Sequence, residues 1–135
     1  MENFSIELAV RDYELDVQGI VNNSVYQNYL EHARHEFLFH HGVDFVEFAK
    51  NNIILVVKTI EMNFKHSLVS RDKFRIEVTA EKEGNLRVVF NQEIIRISDN
   101  KSVLSAKVTG VAIKNGRPVD PETIPQIQNF LTVQI

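Results

Sequence analysis

The sequence predicts an α+β fold in which one long amphipathic helix near the start is followed by a run of antiparallel strands. Two features carry this. Between Asn22 and His41 the apolar residues Tyr26, Tyr29, Leu30, Ala33 and Phe37 recur every three or four positions, the period of a helix with one face to bury. From Ile53 onward the period drops to two, the alternation of strands. Turn-forming stretches, Glu83-Gly84-Asn85 and Ser98-Asp99-Asn100-Lys101, then separate the apolar runs.

The chain opens on a strand over residues 3–11, with Phe4, Ile6, Leu8 and Val10 alternating against Ser5, Glu7 and Arg11. Residues 12–22 form a loop that leads into Asn22, Asn23 and Ser24, any of which can cap a helix by accepting a backbone N–H bond. The helix runs to about His41 and stops at Gly42, a favoured C-terminal cap. Gln27, Glu31, Arg34 and His35 fall on its polar side, where Glu31 has helical spacing to Arg34 and to His35. Asp44 to Lys50 is a short helical turn with Phe45 and Phe48 on one side.

The first strand of the second region puts Val56, Ile60, Met62 and Phe64 on one face and Thr59, Glu61 and Asn63 on the other; Lys58 interrupts the apolar face. After the Ser67–Asp72 loop comes the clearest alternation, with Phe74, Ile76, Val78 and Ala80 facing one way and Lys73, Arg75, Glu77, Thr79 and Glu81 the other. Leu86 to Ile97 is the return strand. Val103 to Lys114 is another, and its face of Leu104, Ala106, Val108, Gly110 and Ala112 is small enough for the helix stripe to lie against it. Asn115-Gly116 ends that strand. A short helix begins near Pro125, since proline suits a first helical position.

The 135 residues form a single domain, residues 1–135, with no internal repeat. With 18 acidic and 15 basic residues the net charge is −3, which argues against nucleic acid as the main partner. The sequence has no cysteine, so disulfides, thiolate metal sites and a cysteine nucleophile are excluded. No apolar run approaches the roughly 20 residues of a membrane span. The N-terminus lacks the basic and apolar regions of a signal peptide, and a cytoplasmic protein without membrane contact is expected. One helix cannot cover both faces of such a sheet, so association through strand edges or sheet faces is expected as well.

The chemistry-bearing stretch runs from Asp16 to Arg34. A carboxylate precedes a glycine turn, polar capping residues follow, and the positive end of the helix points back toward Asp16. Taken alone, the spacing favours an ordinary turn aspartate at Asp16, and Asn23 reads as a plain cap, a role compatible with chemistry at the helix start. Lys65, Arg71 and Lys73 are cations that fit phosphates, or a scattered surface charge. His32, His35, His40 and His41 on one helix lack an accompanying carboxylate set, so no metal is expected.

The pattern Asp16-x-x-Gly19-x-Val21-x-Asn23-x-x-Tyr26-x-x-Tyr29-x-Glu31-x-Ala33-Arg34 resembles the hotdog-fold acyl-CoA thioesterases of the 4-hydroxybenzoyl-CoA thioesterase type. Val21-Asn22-Asn23 is also similar to the acyl-carrier-protein thioesterases, where many other relatives have Tyr-His at Asn22-Asn23. The later Asn115-Gly116-Arg117-Pro118 resembles the turn after the family's last strand. The resemblance covers residues 3–127. It departs at Ser67, often proline in relatives, and at Arg71-Asp72, often Gly-Asp.

That resemblance implies a curved antiparallel sheet wrapped around the long helix, in a homodimer or homotetramer with active sites at subunit boundaries. It implies hydrolysis of an acyl-CoA or acyl-carrier-protein thioester, with coenzyme A as part of the substrate and no separate cofactor. Asp16 is then nucleophile or general base, and the backbone amide of Asn23 polarises the carbonyl. Substrate contacts are assigned to Gly19, Val25, Tyr26, Thr59, Lys65 and His66. A second reading is the 3-hydroxyacyl-thioester dehydratase branch of the fold, which wants a histidine where the loop offers Asn23. A third is a non-catalytic acyl-thioester-binding protein, against which an unpaired carboxylate in a lipid pocket would be costly.

Overall fold

A computed structural model describes residues 4–131. Its elements are β1 (Phe4–Ala9), α1 (Asn23–His40), α2 (Phe45–Lys50), β2 (Ile53–Phe64), β3 (Lys73–Glu83), β4 (Arg87–Arg96), β5 (Ser102–Lys114), β6 (Arg117–Val119) and α3 (Pro125–Gln128). Of the expected first strand, residue 3 lies outside the described residues, and pairing ends at Ala9. The strands form one antiparallel sheet in the order β1-β3-β4-β5-β2, with β6 added to β5. The sheet curls around α1 in the hotdog arrangement.

Helix α1 forms where its boundary chemistry dictates. The Asn22 side chain caps the start by accepting from Ser24 N–H at 3.2 Å. At the far end Gly42 adopts φ +89, the left-handed conformation that glycine takes without steric cost. Tyr26, Tyr29, Leu30, Ala33 and Phe37 are all buried, as the stripe requires. Phe37 stacks edge-on against Phe4, Phe90 and Phe130, and Tyr29 leans on Phe74 with ring centroids 4.7 Å apart.

Three expectations need correction. The stripe does not lie closest to the small-residue face of β5; the helix backbone comes nearest to β3 and β1. Gly110 is small for another reason, because a Cβ there would sit 3.0 Å from the Val56 carbonyl oxygen on the neighbouring strand. Arg34 is not on the polar side of α1: it is 6% exposed and turns into the protein. On α2, Phe48 is buried and Phe45, three positions before it, is 44% exposed.

The third correction concerns β2. A bulge lies between Val57, paired with Gly110, and Thr59, paired with Thr109. Lys58 is the extra residue, which accounts for its interruption of the apolar pattern. The pairing partners show the result. Leu55 and Val57 stand opposite Ala112 and Gly110, and after the bulge Ile60, Met62 and Phe64 stand opposite Val108, Ala106 and Leu104. Val56 therefore belongs to the other face.

Asn115 and Gly116 both have positive φ, at 52 and 79, and turn the chain tightly enough to add β6, which the pattern of alternation had not marked.

Candidate functional site

Asp16 stands at the base of a tight loop. Its N–H donates to Ile20 O at 2.8 Å, and its carbonyl accepts from Gly19 N–H at 3.1 Å. Gly19 takes φ +82, which closes the turn. The carboxylate also binds its own loop, with Oδ1 accepting from Gln18 N–H at 2.8 Å and from Ile20 N–H at 3.3 Å. Asp16 is thus a turn aspartate in fact. Its other oxygen, Oδ2, takes no hydrogen bond from the described residues. The residue is half-buried.

Beside this loop α1 begins. Leu15 and Val21 form an antiparallel bridge, and Asn22 N–H donates to Glu14 O at 3.0 Å, so loop and helix start are one unit. Asn22 is the cap and Asn23 the first helical residue. The Asn23 N–H has no hydrogen-bond partner among the described residues, as expected for a first-turn amide. The dipole of the 18-residue helix adds positive potential at this end.

The loop between β2 and β3 supports the unit from below. Val21 N–H donates to Leu68 O at 2.9 Å, and Ile20 bridges Val69. Leu68 N–H donates to the Tyr26 hydroxyl at 3.0 Å. Burial raises the Tyr26 hydroxyl above the ordinary tyrosine value, which keeps it protonated.

Asp16 and Gly19 thus share one turn, and the bond from Asn22 to Glu14 joins that loop to the helix start at Asn23, with Val25 half-buried in the first helical turn. Tyr26 is a core residue whose oxygen is occupied by Leu68. Lys65 and His66 stand exposed at the end of β2. Lys65 Nζ lies 3.4 Å from Ser102 Oγ, and His66 Nδ1 lies 3.0 Å from Ser102 O. Thr59 is exposed at the bulge, roughly 20 Å along the strand from Lys65. Among the described residues no group of three or more His, Asp or Glu could hold a metal ion, and His32, His35 and His40 are exposed.

Sequence reasoning missed two polar pairs. Glu14, buried, accepts the Tyr29 hydroxyl at 2.7 Å and the Arg11 N–H at 2.8 Å. The signal was present in Tyr29 itself, a stripe tyrosine whose hydroxyl must find a partner once buried. Arg34 Nη1 donates to Gln92 Oε1 at 3.1 Å, and Gln92 Nε2 donates to Leu30 O at 2.9 Å. Gln92 occupies an inward position between Phe90 and Ile94, a signal that alternation alone provides. Arg34 lines a cavity of about 260 Å³ between α1 and the sheet, which neither Asp16 nor Asn23 lines.

The sequence matches the model of the thioesterase-like superfamily over residues 10–131. It is 37% identical over 124 residues to a chloroplastic acyl-acyl carrier protein thioesterase of Arabidopsis thaliana, an alignment covering 92% of this chain and 64% of that protein. The chain thus spans less than two thirds of that relative's length. It is 30% identical over 107 residues to the long-chain acyl-CoA thioesterase FadM of Escherichia coli, covering 79% of this chain and 80% of that one. The crystal structure of the probable thioesterase YbaW from Escherichia coli is similar with a TM-score of 0.80 at 26% identity, over 95% of this chain and 98% of that chain. The match over nearly the whole described length, with the same fold in a relative, places this chain in the thioesterase-like superfamily.

Proposed function

We propose that the protein is a thioester hydrolase that converts an acyl thioester and water into a carboxylic acid and a free thiol, coenzyme A when the substrate is an acyl-CoA. One observation carries this reading: Asp16 Oδ2, free of hydrogen bonds among the described residues, shares a rigid unit with a helix start whose first N–H is also unbound. Asp16 attacks the thioester carbonyl or takes a proton from the water that does so. The Asn23 N–H and the positive helix end stabilise the charge that develops on the carbonyl oxygen. The similarity to proteins named as thioesterases supports the same reaction class.

Lys65, exposed beside the supporting loop, offers a cation to the phosphates of a coenzyme A or acyl-carrier-protein thioester. Strand β2 is a sheet edge with Ile54, Val57 and Phe64 exposed, which supports assembly as a homodimer or homotetramer. A chain without cysteine needs no oxidising compartment to fold, in keeping with a cytoplasmic setting.

The test is thiol release by the wild type and by Asp16→Asn, with acyl-CoA and acyl-carrier-protein thioesters of short, long and aromatic acids. The variant should lose about 10²–10⁴-fold in turnover while keeping its fold. Turnover equal to the wild type would remove Asp16 from the chemistry and the reading with it.

A further inference from the structure

Arg71 occupies a backbone conformation that its side chain does not favour. Four non-glycine residues among those described have positive φ, and three of them, Asn52, Asn100 and Asn115, are asparagine, which tolerates this region better than other side chains. Arg71, at φ 64, is the fourth. It stands in a turn closed by Asp72 N–H donating to Val69 O at 3.1 Å and by Val69 N–H donating to Asp72 Oδ2 at 2.9 Å. Glycine would fit that position without strain. The Arg71 side chain is exposed and makes no hydrogen bond or ion pair among the described residues. The turn itself abuts the candidate site: Val69 bridges Ile20, and Ser70 Oγ donates to Asp12 Oδ1 at 3.2 Å, so Arg71 stands beside the loop that carries Asp16.

Other cations stand at the same end of the sheet. Lys73 opens β3, Lys101 precedes β5 and Lys65 follows β2, and all three are exposed. None of them forms an ion pair among the described residues, whereas Lys50, Arg75, Lys82, Arg87 and Lys107 each meet a carboxylate. The acids near them are engaged. Arg96 grips Asp99, on which Lys101 also acts; Asp72 accepts Val69 N–H, and Asp12 accepts the Ser70 hydroxyl. In the strand order β3-β4-β5-β2 the cations spread over three strand spacings, about 14 Å. One phosphate cannot bridge that width, but about two and a half turns of a helix can. Phe64 and Val69, both exposed, add apolar surface between the charges.

We propose that this end of the sheet docks an acidic helix of a protein that carries the acyl thioester, with Arg71 as a specificity-determining contact. Opposite charge draws the carrier in and fixes its orientation, so the thioester arrives beside the Asp16 loop. The chain then acts on carrier-protein thioesters in preference to coenzyme A thioesters. This choice of partner rests on the proposed hydrolase function; the docking surface can be tested without it.

The test compares decanoyl-acyl carrier protein and decanoyl-CoA as substrates of the intact protein, with Arg71→Gly and Arg71→Lys as variants. Wild type should show the lower KM on the carrier thioester, and that KM should rise with ionic strength. Arg71→Gly should raise the carrier KM at least about threefold more than the KM for decanoyl-CoA, with kcat within about twofold of the wild type. Its melting temperature should equal or exceed that of the wild type, because glycine suits the turn. Arg71→Lys keeps the charge and should keep most of the carrier affinity. An unchanged carrier KM in Arg71→Gly overturns the proposal, as does a wild-type KM no lower on the carrier than on decanoyl-CoA. An equal rise on both substrates assigns Arg71 to a phosphate that both carry, a lower melting temperature assigns it to the fold, and a changed sedimentation mass assigns the surface to a second copy; each overturns it too. If the wild type cleaves neither thioester, the hydrolase reading fails and docking is read from the fluorescence anisotropy of labelled acyl carrier protein. Weaker binding to Arg71→Gly than to wild type then supports the surface, and equal or absent binding overturns it.

Discussion

The Tyr29 hydroxyl on α1 donates a 2.7 Å hydrogen bond to Glu14 Oε1, and the same oxygen accepts the Arg11 N–H at 2.8 Å. The Glu14 carbonyl receives Asn22 N–H as well, so one residue joins the loop before Asp16 to both the cap and the second turn of the helix. Burial first, then the hydrogen bond and charge of Glu14, hold the Tyr29 hydroxyl far above the ordinary tyrosine value.

Removing that hydroxyl takes one donor from a buried carboxylate. Tyr29→Phe keeps the ring on Phe74 and should cost about 1–3 kcal/mol in urea unfolding. It should also change the alkaline limb. The folded state favours the protonated phenol, so the stabilisation is intact below the unfolded value of 10.0 and declines as the pH rises beyond it. Thermal melts from about pH 8 to about pH 11 should show a shallower decline in the variant. Part of the decline should remain, because the Tyr26 hydroxyl is raised in the same direction.

The acid limb has a different source. Arg96 grips Asp99 through Nε at 3.0 Å and Nη2 at 2.7 Å, which brings the carboxyl down to about 2. The unfolded value is 3.8, so this stabilisation is complete above that pH and disappears as the pH falls from there toward 2. Asp99→Asn should flatten the loss of melting temperature across that window. A slope equal to the wild type would show that the pair contributes nothing measurable.

Two substitutions at Asp16 separate its roles in the loop and in chemistry. Asparagine retains an oxygen for the Gln18 and Ile20 N–H groups, so Asp16→Asn should unfold within about 0.5 kcal/mol of the wild type. Alanine removes the acceptor, and Asp16→Ala should be less stable by about 1 kcal/mol. Both should lose thiol release. Chemical denaturation measures the first difference and thiol release the second.

Gly110→Ala tests the contact between β2 and β5. The added methyl would stand 3.0 Å from the Val56 carbonyl oxygen, and backbone on both sides must move to admit it. A loss of about 1–3 kcal/mol in urea unfolding is expected. A neutral result would mean that the bulge relaxes freely.

The helix, its caps and the alternation of β3 were readable in the sequence because periodicity reports burial wherever side-chain type and environment agree. Asn22, Gly42 and the Tyr26–Phe37 stripe are such places. The same logic failed at Arg34, whose charge suggested the polar side although its neighbours one turn away, Leu30 and Leu38, are apolar and buried. It failed at Val56 because a bulge changes the alternation in mid-strand, although Leu55 and Val57 before Lys58, and Ile60 and Met62 after it, record that change. At the candidate site, the Asp16–Asn23 spacing located the loop and the helix start. The tie from Glu14 to Tyr29 was not visible, since it joins residues fifteen positions apart through a contact that only the folded chain makes.

Lys58 makes β2 a strand with one spare link. Because Lys58 falls between the pairs Val57–Gly110 and Thr59–Thr109, a shortened chain lacking it would run straight past Thr109 and keep Leu55, Val57, Ile60 and Met62 opposite Ala112, Gly110, Val108 and Ala106. The same deletion at Glu61 would move Met62 and Phe64 to the opposite face of the strand unless the bulge itself were given up. Tolerance to a change in length is therefore concentrated at one position of the edge strand.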